Sequence, residues 1–359
     1  MKNRKVLAVI YALLAAIFYS INTPFSKILL QNVPATFMAS FLYLGAGVGV
    51  GILYLFHYPK EDKAERLTKK DLPYTIGMIV LDIMAPIFLM FGISDGLASN
   101  ASLLGNFEIV ATAVIALILF KEAVSKNLWI AIILITVSSM ILSFEGSGSF
   151  QFSYGSLFVI LATVCWGLEN NCTRKISDKS TYEIVVLKGL FSGLGSFLIA
   201  MLLGEKFPDV KYVFVSMLLG FVAYGLSIFL YIRAQRDLGA AKTSAYYAVA
   251  PFVGAALAFA VNGESLTWSY FVALVIMIAG SVFVVFDTLA KQHAHGHYHT
   301  ICHTHDGVTH VHVINHEHEH SHFIESQAHK HSRRDYMNSE EHKRAHENCL
   351  DGISNSDKA

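Results

Sequence analysis

Charge is scarce in this chain. Only 15% of its 359 residues are Asp, Glu, Lys or Arg, while 54% are hydrophobic. That balance is too apolar for a soluble protein, and the length exceeds one small core. Cysteine is scarce too, with four in all. Cys165 and Cys172 share one helical face of an apolar stretch, where they read as small packing residues. Cys302 and Cys349 fall near the C-terminus, and no disulfide is expected. There is no P-loop, so ATP is not the expected energy source. No HExxH or comparable ligand set lies within the apolar stretches, and no nucleophile accompanies a base. The chain is therefore not read as an enzyme, no cofactor is required, and no nucleic-acid partner is expected.

What is present is length in apolar runs. Ten stretches of roughly 18–25 residues, enough to cross a bilayer as helices, lie between Lys5 and Lys291. They fall near 6–30, 35–57, 73–95, 98–120, 127–145, 155–175, 182–204, 212–233, 240–262 and 267–287. The first is too long for a signal-peptide core and lacks a small-residue cleavage site, so it reads as a span. With the N-terminus cytoplasmic, sixteen Lys and Arg collect on the cytoplasmic side against Lys27, Lys206 and Lys211 opposite. The positive-inside bias then puts both termini in the cytoplasm. The expected setting is a multi-pass integral protein in lipid, at the bacterial inner membrane.

The linker "EGSGSFQFSYGS" (Glu145–Ser156) divides these spans five and five, giving units at 1–150 and 151–290. The halves echo each other. "AIFYSINTPFSK" matches "TVCWGLENNCTR", and "ASNASLLGNFEIVATAVIALILFKE" aligns with "AAKTSAYYAVAPFVGAALAFAVNGE". An odd number of spans per repeat inverts the second copy, and inverted repeats place a transporter's substrate site near the midplane. The fold expected is all-α, ten transmembrane helices in two inverted five-helix repeats. "GAGVGVG" (Gly45–Gly51) and "GLFSG" (Gly189–Gly193) permit close helix approach, and the former either packs internally or seats a second copy as a homodimer.

Ionisable groups inside spans are costly and face the bundle interior or a cavity. Glu169 and Lys188 sit at one depth on consecutive spans and are expected to pair, with Asn170 and Asn171 satisfying the remaining donors and acceptors. Asp82 and Glu108, at another similar depth, read as a separate carboxylate set able to share a proton or attract a cation. Asn22, Asn106, Tyr19, Trp166, Tyr246 and Tyr247 are candidates to line the same cavity. Pro24, Pro86 and Pro251 fall inside spans, where they free carbonyls and permit bending.

After Asp287 the composition changes. Sixteen of the seventeen histidines lie within residues 291–359. Such a segment cannot form an apolar core, so a mostly disordered tail is expected. Imidazole is a common ligand for Zn, Ni and Co ions. The expected ligands are His293, His295, His297, His299, Cys302, His303, His305, His310, His312, His316, His318, His320 and His322.

"CWGLENNCTRKIS" (Cys165–Ser177), "LKGLFSG" (Leu187–Gly193), "LGNFEIVATAVIA" (Leu104–Ala116) and "LGAAKTSAYYAVAPFVGA" (Leu238–Ala255) resemble a bacterial branch of the drug/metabolite transporter superfamily, EamA type. The resemblance covers about 1–290. In that branch the sixth span carries an acidic-Asn-Asn-x-Thr-Arg motif, matched by Glu169, Asn170, Asn171, Thr173 and Arg174, with Glu where Asp is usual. Lys188, Glu108, Tyr246, Pro251 and Gly254 also fall on its characteristic positions. The resemblance implies a permease or exporter with cytoplasmic termini, moving amino acids or other metabolites. Two alternatives stand beside it: a divalent Ni, Co or Zn exporter, and a non-transporting membrane metal sensor.

Overall fold

The structure is a computed structural model describing residues 2–57, 66–121, 124–145, 151–176, 179–238, 243, 246–289, 291–305 and 308–322. The chain divides into a unit at Met1–Thr288 and a second at Leu289–Ala359.

The first unit is helical apart from a two-residue strand pair, Phe144–Glu145 (β1) with Gln151–Phe152 (β2). Its first span is broken at Ile21 into α1 (Lys2–Ser20) and α2 (Asn22–Leu29). α3 (Ala35–His57) and α4 (Leu72–Asp95) are continuous, and α4 carries Pro86 in its interior. The fourth span is broken at Gly105–Asn106 into α5 (Ala98–Leu104) and α6 (Phe107–Phe120). α7 (Lys126–Leu142), α8 (Tyr154–Arg174) and α9 (Thr181–Leu202) follow. α10 (Val210–Gly220) passes through a π-helical turn, Phe221–Leu226, into α11 (Ser227–Leu238). α12 (Ala250–Asn262) and α13 (Trp268–Leu289) close the unit. Two prolines begin half-helices rather than kink long ones. Pro24 lies in the first turn of α2 and Pro251 in that of α12, where a missing N–H costs nothing.

Among the described residues, seven helical segments are long and apolar enough to cross a membrane. α7 and α12 are apolar but shorter. α8 has 21 residues, but its Glu-Asn-Asn-Cys-Thr-Arg end dilutes its apolarity. The outward faces of the helices are oily: Leu202, Trp268, Phe56 and Phe214 are each at least 74% exposed. A surface of this kind is at rest in hydrocarbon, where helices already satisfy their own backbone groups.

α3 is the central packing element, lying against α9 on one side and α10 on the other. Its glycines are what let it. A Cβ at Gly45 would sit 1.9 Å from the Met217 carbonyl oxygen, and one at Gly47 would sit 2.6 Å from the Leu190 nitrogen. The glycine face of the second span is therefore occupied inside the bundle by neighbouring backbone.

One end of the bundle is tied by charged side chains acting as helix caps. Glu205 accepts from the Thr36 and Phe37 amides at the start of α3 (3.3 and 3.1 Å). Glu264 accepts from Ala98 and Ser99 at the start of α5 (2.7 and 2.9 Å). Lys27 donates to the Ile93, Ser94 and Gly96 carbonyls at the end of α4 (2.7–2.9 Å). Each charge has the sign that complements the helix end it meets.

The second unit contains two strands, β3 (Lys291–His305) and β4 (Val308–His322), paired antiparallel from Lys291↔His322 to His305↔Val308. This differs from the disorder expected of the tail. Histidine alternates here with the residues between, a period of two that suits a strand, and Asp306–Gly307 between the strands is a dipeptide favoured in tight hairpins. Residues 306, 307 and 323–359, with Cys349, lie outside the described residues.

Candidate functional site

α8 passes the interior as a series of three polar residues, and helical geometry sends each one in a different direction. Successive positions on a helix turn by about 100°. Glu169, Asn170 and Asn171 thus face separate neighbours.

Glu169 is 2% exposed and meets Lys188 of α9, whose Nζ lies 3.0 Å from its Oε1. The Thr173 hydroxyl, one turn further along α8, also donates to Glu169. Lys188 has a second carboxylate: Asp82 of α4, fully buried, places Oδ2 at 3.0 Å from the same Nζ. The Tyr43 hydroxyl of α3 donates to Asp82 Oδ1 at 3.0 Å and accepts from Trp166 Nε1 at 3.4 Å. One ammonium thus ties α4, α8 and α9. Two carboxylates around one cation survive burial only when well paired, because removing any partner strands a charge in an apolar interior.

Asn170 turns instead to α6. Its amide donates to Glu108 Oε1 at 2.7 Å and to the Thr112 hydroxyl at 3.3 Å. Asn171 donates to the Thr112 and Gly167 carbonyls at 3.2 and 2.8 Å. Neither asparagine serves the Glu169–Lys188 pair, contrary to expectation. Glu169 shares a face with Thr173, four residues on, and not with its immediate successors.

Asp82 and Glu108 likewise do not form a set. Equal depth along two spans says nothing about which sides of the helices face each other. α4 packs on both α8 and α9, which takes Asp82 to Lys188. α6 packs on α8, which takes Glu108 to Asn170. Glu108 stands in the first turn of α6, where the positive end of the half-helix dipole favours a carboxylate.

These groups border a cavity of about 560 Å³ inside the first unit. Asn106, Glu108, Trp166, Glu169, Asn170 and Lys188 line it, as does Tyr247. Asp82, Asn22 and Asn171 stand behind the wall: Asp82 bonds Lys188, and Asn22 donates to the Tyr224 hydroxyl at 3.1 Å. Tyr246 is 38% exposed and does not line the cavity, because its neighbour Tyr247 takes the inward direction.

Sequence reading missed Tyr43 and Tyr224. Tyr224 lies in the π-helical turn, one of the features that re-aim side chains inside a span. Its ring meets Tyr19 at 5.8 Å and Tyr43 at 5.4 Å between centroids. Tyr19 then meets Tyr247 at 5.9 Å, and Tyr247 meets Tyr231 at 5.2 Å. A continuous run of five tyrosines therefore crosses the cavity wall. The only advance signal was aromatic residues in several spans, too common to single these out.

Two broken spans approach the cavity from opposite halves. The α5–α6 break at Gly105–Asn106 and the break at Ala248–Val249 before α12 fall within about one residue of each other when 98–122 is aligned with 240–264. Residues of both breaks line the cavity. Discontinuous helices at corresponding places of two halves are where membrane carriers bind solutes.

The fold and the cavity define a multi-pass integral membrane protein with an interior polar site between packed helices. The chain belongs to the EamA-like transporter family, whose model matches it twice, at residues 6–144 and 153–286. It is 23% identical over 303 residues to an uncharacterized transporter of Methanothermobacter thermautotrophicus, covering 79% of this chain and 87% of that one. An uncharacterized transporter of Clostridium kluyveri is 24% identical over 288 residues, covering 76% of this chain and 91% of that one. A solved crystal structure superposes with a TM-score of 0.57 at 15% identity, spanning 77% of this chain and 95% of the other. That likeness concerns the fold.

Proposed function

We propose that the protein is a secondary permease that moves a small solute by alternating access, with ten spans arranged as two inverted five-helix repeats and both termini in the cytoplasm of a bacterial cell. The observation that carries this reading is the cavity, bordered by two half-span breaks from opposite repeats and by the Asp82–Lys188–Glu169 cluster. Substrate-path roles go to Glu108, Asn106, Trp166, Asn170 and Tyr247, with Glu169 and Lys188 forming one wall. Asp82 supports that wall through Lys188, whereas Asn22 bonds Tyr224 and Asn171 bonds the Thr112 carbonyl behind other parts of the lining.

The tail is read as a binder of Zn, Ni or Co that buffers or senses metal. Its register supports this: the six histidines of β3 fall at odd positions and the six of β4 at even positions, and the pairing sets odd against even, with His293, His295, His297 and His303 opposite His320, His318, His316 and His310. Alternate positions along a strand share one face of a ribbon. Cys302 falls at an even position of β3, out of step with its histidines. Metal as cargo is the alternative reading.

Proteoliposomes carrying the full chain and loaded with amino acids, amines and other small metabolites test the proposal. The expected result is accelerated exchange of at least one organic solute, and slower exchange with Glu108→Gln. Accelerated movement of Ni, Co or Zn alone would transfer the assignment to a metal exporter. No movement of any solute would favour a sensor.

A further inference from the structure

We infer that the cavity takes a small organic cation, a solute with an amino or quaternary ammonium group on an apolar body. This rests on the permease reading and adds the sign of the cargo's charge.

The charge count is the first ground. Asp82, Glu169 and Glu108 bring three carboxylates to the cavity and its wall, whereas Lys188 is the single cationic residue lining it among the described residues. That ammonium is already committed, at 3.0 Å from both Asp82 and Glu169. It therefore offers little to an anionic solute. Among the described residues, Glu108 has only the neutral Asn170 amide on one oxygen, together with the N-terminal end of α6. A half-helix terminus and one amide offset part of a carboxylate's desolvation; an ammonium would offset far more.

The wall chemistry is the second ground. Tyr19, Tyr224, Tyr247, Tyr231 and Trp166 all line the cavity with Glu108. Aromatic faces attract cations, with Trp and Tyr the strongest, and repel anions by the same quadrupole. The Ser102 hydroxyl, 7% exposed, also lines the cavity and has no hydrogen-bond partner among the described residues. It is a hydroxyl open to a polar group of the solute, able to accept from an amine as well as to donate. A cavity of about 560 Å³ lies within the range of small-molecule sites.

Three probes that share one ring and differ in charge isolate the effect: tryptamine (cation), indole-3-ethanol (neutral) and indole-3-acetate (anion). Equilibrium binding of each is measured on the detergent-purified full chain, and counterflow of each on proteoliposomes. Tryptamine is expected to bind at least 10-fold more tightly than indole-3-ethanol, with indole-3-acetate weakest. In Glu108→Gln the tryptamine-to-indole-3-ethanol ratio is expected to fall toward 1, and Glu108→Asp is expected to restore part of it. Equal binding of cation and neutral alcohol to the unaltered chain would overturn the inference, because a proton then balances the acids. Preference for the acetate, no binding of any probe up to millimolar concentration, or a ratio unchanged in Glu108→Gln would overturn it as well. Charge-selective binding without counterflow would sink the permease reading and leave the cation site standing. Counterflow without charge selectivity would do the reverse.

Discussion

Glu169 and Glu108 are held through adjacent residues of one helix, yet they live in different chemical settings. Glu169 stands on α8 itself and joins Asp82 in sharing the Lys188 ammonium, with Thr173 and Tyr43 filling further positions around the cluster. Glu108 is reached by the next residue, Asn170, and receives a neutral amide and, among the described residues, no ion-pair partner. The contrast separates two uses of a buried acid. A carboxylate enclosed by its own counter-ion is committed to holding helices together. A carboxylate that faces a cavity with part of its charge unmatched is available to something that arrives.

The strongest way to break the compensated side is Lys188→Met. It removes the sole cation between Asp82 and Glu169 and leaves two carboxylates in an apolar interior. Losing one partner of a buried pair costs about 3–5 kcal/mol. Denaturation of the detergent-solubilised protein is expected to show a loss of that size, or failure to accumulate in the membrane. Lys188→Met combined with Asp82→Asn and Glu169→Gln is expected to recover most of it. Recovery would show that stranded charge, and not lost packing, is the cause.

The pair at the heart of this side was legible beforehand, because Glu169 and Lys188 share a depth on consecutive spans. Asp82 was not, since depth alone ranked it with Glu108. What decides is which face of α4 packs on α8 and α9, and α4 is apolar on nearly every side, so its sequence carries no stripe to mark the inward face. The same blindness explains Tyr224, whose direction depends on a π-helical turn invisible in the apolar run "LLGFVAYGLSIFL". The helix breaks were half legible: Pro24 and Pro251 follow two of them, Pro86 sits inside the continuous α4, and the break at Gly105–Asn106 carried no proline to mark it. The hairpin at 291–322 was missed because low apolar content was weighed above the alternation of histidine.

A smaller disturbance of the same side is Tyr43→Phe. The ring and its contact with Tyr224 stay, while the donor to Asp82 and the acceptor for Trp166 go. A hydrogen bond to a charged group contributes about 1.5–3 kcal/mol. The expected loss lies at the lower end of that span, because Lys188 remains with Asp82. In a background with Asp82→Asn the same substitution is expected to cost less, and a double-mutant cycle measures the coupling. Equal costs in both backgrounds would mean that Tyr43 acts through packing alone, and the cluster would shrink to its three ions.

Glu108→Gln gives the smallest expected change in stability, and for that reason it sharpens the comparison most. Gln keeps a carbonyl oxygen for the Asn170 amide to donate to, and it removes a charge that has no ion-pair partner among the described residues. Losing favourable interaction with the α6 terminus costs about 0.3–1 kcal/mol, and relief of desolvation acts in the opposite direction. The net effect on the denaturation midpoint is expected to fall below about 1 kcal/mol of either sign. Ligand charge preference, in contrast, is expected to collapse. A loss as large as that of Lys188→Met would place Glu108 in the structural framework beside Glu169, and the division between a committed and an available acid would fail. A near-silent midpoint with altered ligand selection would mean that α8 carries both kinds of group on neighbouring residues, one to fix the bundle and one to meet the solute.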